Sequence, residues 1–271
     1  MNGTILQLIG LTTYGDVFLR TGLMPPDFYP EHVIYRFCNQ VDFREYKKSF
    51  YEKETSELIL NKDPIEWYAD LWENDCKKMS LYLDLADNST VNQDHKLAGL
   101  VGGGGNWMIE TIFADYSYYW SNRWEVNAPD DRNDNIWTVS YGRKDKRFPI
   151  TNLQIDQIET KKSLDKILLE IGNFAARHAL DNWTEIFQSA REMLNEEKAD
   201  NSFNLFPTQH YSVLSRQLMN AASAAWVYGG MGSWNDQGFE SDEDSKLYER
   251  LSAQLYANVQ VAIISAVNSN K

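Results

Sequence analysis

The chain has 271 residues, enough for one large domain or two modest ones, with a substantial core in either case. Its net charge of −13 argues against nucleic acid as a direct ligand, because binding phosphates needs a concentrated basic surface. Two cysteines, Cys38 and Cys76, make neither a metal set nor a disulfide framework, and read as buried thiols in a reducing compartment.

The acidic excess is shared between the two halves of the chain, which suits solubility and also the attraction of a basic partner. Aromatic residues make up 13% of the sequence, with nine Trp and fifteen Tyr. Part of that surface belongs in a core; the remainder is the type enriched at protein interfaces. The first ten residues lack a basic n-region, and no stretch approaches the roughly 20 apolar residues of a membrane helix. The expectation is a cytoplasmic protein with no membrane association.

Residues 1–62 mix short apolar runs with turn formers; Thr4–Leu11 and His32–Cys38 read as strands. Asp63-Pro64 reads as a helix start, with Asp as cap and Pro in the first turn, and Ile65, Tyr68, Leu71 and Trp72 carry helical spacing towards Leu85. Asn106–Phe113, Trp120–Val126 and Ile136–Tyr141 read as strands, with a turn-rich Asn127–Asn135, and predict an antiparallel sheet. From Leu153 the chain turns helical. Leu164, Ile167, Leu168, Ile171, Phe174 and Ala175 form one apolar face. Trp183, Ile186, Phe187, Ala190 and Leu194 form a second, after Asp181 as cap. Tyr211–Tyr228 presents small residues suited to close packing, and a last helix runs from Asp242 to Val267, capped by Ser241. The predicted class is α+β: residues 1–150 hold the sheet and residues 151–271 a helical bundle, as two regions or one continuous domain.

Chemical signatures are weak. Gly102–Gly105 is followed by Asn106-Trp107 where a phosphate loop needs Lys-Ser/Thr, so it reads as a tight loop with Trp107 packed beneath. Asp131–Asn135 has the opening spacing of a calcium loop, but Ile136 and Gly142 stand where Gly and Glu belong. Ser163-Leu164-Asp165-Lys166 reads as a helix start, with Ser163 as cap. His32, His95, His178 and His210 show no metal-ligand spacing, and no metal or cofactor is expected. Asp236 with Glu240 resembles an acid/base pair, though carboxylates at a helix entrance more often complement its dipole.

The most informative stretch is Gly229-Gly230-Met231-Gly232-Ser233-Trp234-Asn235-Asp236. Its structural reading is a glycine turn in which Met231 and Trp234 plug the gap between two helices while Asn235 or Asp236 bonds exposed amides. Its functional reading is an aromatic anchor, Trp234, beside Asn235, Asp236 and an acidic rim of Glu240, Asp242, Glu243 and Asp244, suited to a basic protein surface.

The stretch resembles one in small bacterial proteins associated with polymorphic toxin and secretion systems, where a helix runs into a Gly-Gly-Met-Gly-Ser-aromatic/Leu-Asn-Asp turn and then an acidic-started helix. The matching residues are Tyr228–Asp236 and the helix through Leu255. The resemblance implies an immunity-type protein that neutralises a cognate toxin by stoichiometric binding, and identifies no contact residue. Two further readings remain open. One is a carboxylate-dependent hydrolase of a small polar or sugar-like substrate, with a deep pocket of converging carboxylates. The other is a phage or mobile-element structural protein.

Overall fold

The computed structural model describes residues 1–48, 55–84, 105–127, 135–151, 155–207, 209–229 and 231–269. Thr4–Leu11 is helical, within α1 (Gly3–Thr21). The Asn2 side chain accepts from Ile5 N–H, and Gly22, at φ 68°, closes the other end with a bond to Phe18 O. Residues 7–17 are buried without interruption, so the run has no amphipathic period to betray a helix. Its threonines and isoleucines read as strand by propensity alone; burial on all sides decides otherwise. His32–Cys38 is likewise not a strand. Val33–Tyr35 forms a 3-10 turn, with the His32 ring accepting from Ile34 N–H, and pairing begins only at Cys38.

β1 (Cys38–Lys48) and β2 (Thr55–Asn61) follow. α2 (Pro64–Glu73) starts as its sequence dictates: both Ile65 N–H and Glu66 N–H donate to Asp63 Oδ1 at 2.8 Å. It does not reach Leu85. Asn74 ends it, Asp75 turns at φ 64°, and the chain enters β3 (Lys78–Asp84), where Met79, Leu81 and Leu83 point inward at period two. β4 (Asn106–Ile112), β5 (Ser117–Val126) and β6 (Trp137–Lys144) match the expected strands to within a few residues.

The sheet order is β2-β1-β6-β5-β4-β3. It is mixed rather than antiparallel, because β1 runs parallel to β6. The inner face carries Val41, Phe43, Leu81, Ile109, Trp120, Val139 and Tyr141. Phe43 stacks on Trp67 of α2 at 4.0 Å and 13°, with Tyr141 and Trp120 against the same ring. Such stacking adds about 0.5–1.5 kcal/mol per pair to the burial itself.

The helical half comprises α3 (Gln157–Arg177), α4 (Asp181–Met193), α5 (Val213–Ala224) and α6 (Asp242–Asn268). The expected α3 face is fully buried. Its cap is Asp156, and Ser163 lies inside the helix. Asp181 is the first residue of α4 rather than its cap; Leu180 occupies that position without a side-chain bond. Buried residues of both halves form one continuous cluster. Across residue 150, the Tyr14 hydroxyl donates to Asn204 O at 2.8 Å, and Asn268 bonds Leu81. The fold is α+β. Among the described residues no helix is long and apolar enough to cross a membrane.

Candidate functional site

After α5 the chain runs through buried Trp226, Val227 and Tyr228 and then reverses. Trp234 N–H donates back to Val227 O at 3.1 Å, the Ser233 hydroxyl to Gly229 O at 3.3 Å, and Gly232 N–H to the Asp236 carboxylate. Gly232 sits at φ 85°, in the left-handed region that other residues enter at a cost. Trp234–Asp236 makes a single 3-10 turn. Gly230 lies outside the described residues.

Trp234 is fully buried, so it anchors the turn to the core and offers no surface to a partner. Its indole N–H donates to Ser252 Oγ at 2.7 Å, and Tyr248 OH donates to its carbonyl at 2.6 Å. Trp183, Phe187 and Tyr248 surround the ring at 5.1–5.5 Å. Tyr228 OH, donating to Ser252 O at 2.8 Å, ties the incoming chain to the same turn of α6. Burial pushes the Tyr248 hydroxyl above its ordinary range. Met231 does not plug the helix gap. It is fully exposed at the tip, because the left-handed Gly232 turns the chain before its side chain can reach the core.

Around this support the polar residues divide. Asp236, Glu240, Asp242 and Glu243 are exposed, while Asn235 and Asp244 are half-buried. Ser241 caps α6, accepting from Glu243 N–H at 3.2 Å and Asp244 N–H at 3.3 Å. The three acidic residues of the first turn lie where the helix dipole favours negative charge. Asp244 is 3.4 Å from His178 Nε2, whose ring is held between Phe174 and Phe239. The turn and the helix start that follows it thus present one exposed apolar tip and four exposed carboxylates within thirteen residues of chain, Met231 to Glu243.

A second polar constellation, which sequence reasoning missed, lies on the outer sheet face. Arg44 donates to Asp42 at 2.6 and 2.7 Å and to Glu57 at 2.8 Å. Arg123 donates to the same Glu57 carboxylate at 2.7 and 3.0 Å. Arg123 and Arg44 hold Glu57 far below its ordinary value, at about 2. Its signal was the alternation of Gln40, Asp42, Arg44 and Tyr46 with Val41 and Phe43. Glu57 on β2 and Arg123 on β5 have two strands, β1 and β6, between them, and nothing local links them.

A cavity of about 480 Å³ opens between α3 and α4, lined by Leu168, Gly172, Ala176, Thr184, Gln188 and Arg191 among others. Neither Asp236 nor Glu240 lines it. Asp16, whose pKa burial raises, is occupied by Met79 N–H and Arg20. Burial lifts the Cys38 thiol to about 11 and the Cys76 thiol to about 12, which keeps both protonated and unreactive at neutral pH. His32 bonds Asn204 O at 3.0 Å and His210 is exposed. His95, Gly102–Gly104 and Asp131–Asp134 lie outside the described residues. Among the described residues no three His, Cys, Asp or Glu side chains gather as a metal site. Comparison with models of known protein families, with curated proteins and with solved structures gave no match.

Proposed function

We propose that this chain is an immunity-type protein of the cytoplasm, which binds a cognate antibacterial toxin in a stoichiometric complex and neutralises it by covering its surface. One observation carries the reading: the exposed Met231 and Asp236 lie on a turn anchored from beneath by buried Trp234, and the exposed Glu240, Asp242 and Glu243 follow it at the start of α6. A rigid display of this kind limits the ordering cost of association. The carboxylates, within a chain of net charge −13, steer a basic surface towards it. Met231, unbranched and polarizable, suits insertion into an irregular apolar pocket.

The test is co-expression with the product of the adjacent gene. Rescue of growth, with co-purification of the two proteins in equal amounts, is the expected result. If no adjacent product is toxic, or a toxic one is neutralised without forming a complex, the reading falls.

A further inference from the structure

The two edges of the sheet are treated differently. At β3 three outward backbone groups are taken: Met79 N–H donates to Asp16 Oδ1 at 3.0 Å, and Asn268 bonds both Leu81 N–H and Leu81 O. At the opposite edge, β2 has β1 as its only strand neighbour among the described residues. Ser56, Glu57, Leu58 and Ile59 are all exposed there, with Leu58 and Ile59 each at 49%.

Edge strands are ordinarily guarded by lysine, proline or an inward-pointing charge. Thr55–Asn61 contains neither lysine nor proline, and its single charge, Glu57, is held on the outer face by Arg44 and Arg123. That clasp holds the middle of the strand, where residues 55–59 pair with β1 in regular register; the one irregularity lies beyond them, at Leu60.

Apart from Lys62 at its end, the exposed charge on the α2 side of this edge is acidic. In α2, Trp67 stacks on Phe43 of the sheet and Tyr68 faces Phe18 of α1 at 6.1 Å, which sets the rotation of the helix. At 100° per residue, Glu66, Asp70 and Glu73 then fall on the side away from α1, towards β2. All three are exposed, and Glu66 accepts from the N–H of Lys62, the residue directly after β2, at 2.9 Å.

We infer that the β2 edge is a docking site for an extended segment of another protein, rich in lysine or arginine, which adds to the sheet as a seventh strand. Backbone pairing supplies the affinity, Leu58 and Ile59 the apolar contact, and the acidic row of α2 the preference for basic side chains. A second copy of this chain is the poorer occupant, since it would bring a second acidic row to the same edge. This surface is distinct from the acidic turn, and its test does not depend on any toxin.

The probe is a peptide of about ten residues alternating lysine and valine, a length that spans the strand. Added to the purified protein, it should slow amide exchange at residues 56–60 and leave Met79 and Leu81 unchanged. Leu58→Lys, at an exposed position, should weaken the peptide about tenfold through like charge and lost apolar contact. The combined Glu66→Gln, Asp70→Asn, Glu73→Gln variant should flatten the salt dependence of binding. Absence of binding, binding without protection of 56–60, or equal binding of a peptide with glutamate in place of lysine would each overturn the inference. So would a peptide-free dimer already protected at 56–60.

Discussion

Asn268, the last residue of α6, pairs with Leu81 as a neighbouring strand would. Leu81 N–H donates to Asn268 Oδ1 at 2.8 Å, and Asn268 Nδ2 donates to Leu81 O at 2.9 Å. One side chain thereby satisfies two backbone groups on a buried edge residue and fastens the helical half to the sheet. Asn268→Ala leaves both groups without a partner, and each such loss costs about 1–3 kcal/mol. A fall of that order in unfolding free energy is expected, together with faster amide exchange at Leu81. Asn268→Asp restores only the acceptor and should destabilise as well. A urea titration of the two variants against the parent checks both.

Trp234 and Met231 predict opposite outcomes three residues apart. Trp234→Ala opens a cavity among Trp183, Phe187 and Tyr248 and should cost about 3–5 kcal/mol. Trp234→Phe keeps most of the packing but removes the indole donor to Ser252 Oγ, which retains its bond with Tyr248, for about 0.5–1.5 kcal/mol. Met231→Ala touches nothing in the core and should stay within about 0.5 kcal/mol of the parent. Thermal unfolding of the three variants gives the ranking.

These two residues also show how far the sequence could be read. Local signals were legible where the chemistry is local: Asp63-Pro64 and Ser241 cap their helices because the bonds they make span two or three residues. Trp234 is identical in sequence whether it anchors a core or an interface; only Ser252 and Tyr248, brought up from α6, decide. α1 was misread because its burial erases the periodicity that normally identifies a helix. β1 alternates in plain view, yet its parallel partner β6 and the Glu57–Arg123 pair exist only once distant strands meet.

The close approach of α1 to the sheet depends on Gly15. A Cβ there would stand 2.5 Å from Cε1 of buried Tyr68 and closer still to the Met79 sulfur, a clash with both. Alanine would gain up to about 1 kcal/mol in helix propensity. Overpacking a filled core costs about 1–3 kcal/mol, and Tyr68 is pinned by its bond to Leu11 O at 2.7 Å. Gly15→Ala should therefore be destabilising, a sign opposite to that expected of an exposed helical glycine. A calorimetric scan settles it.

Stability against acid should carry the mark of Glu57. Its folded pKa lies below the ordinary 4.5, at about 2, chiefly through Arg123 and then Arg44. A depressed carboxylate contributes stability that is complete above the ordinary value and is lost as pH falls through the folded value. Between about pH 4.5 and 2, the parent should lose stability that Glu57→Gln never had. Asp16 tilts the other way. Burial raises its pKa, so its contribution falls as pH climbs past the ordinary carboxylate range. Asp16→Asn keeps an acceptor for Met79 N–H and should remove that decline. Urea midpoints measured across pH for both variants separate the two slopes.

The acidic rim makes its prediction through kinetics. In the combined Glu240→Gln, Asp242→Asn, Glu243→Gln variant the Ser241 cap and the buried Trp234 base remain. Losing two first-turn charges from α6 should cost about 0.6–2 kcal/mol in all, so the fold persists. With a toxin captured by co-expression, association should slow by about tenfold at low salt, while dissociation changes far less. Raising the ionic strength should bring parent and variant together, because screening removes what the substitutions removed. Surface-based kinetics at two salt concentrations make the measurement. An unchanged association rate would mean that the rim does not face the partner, and the contact surface would then have to be sought elsewhere on the molecule.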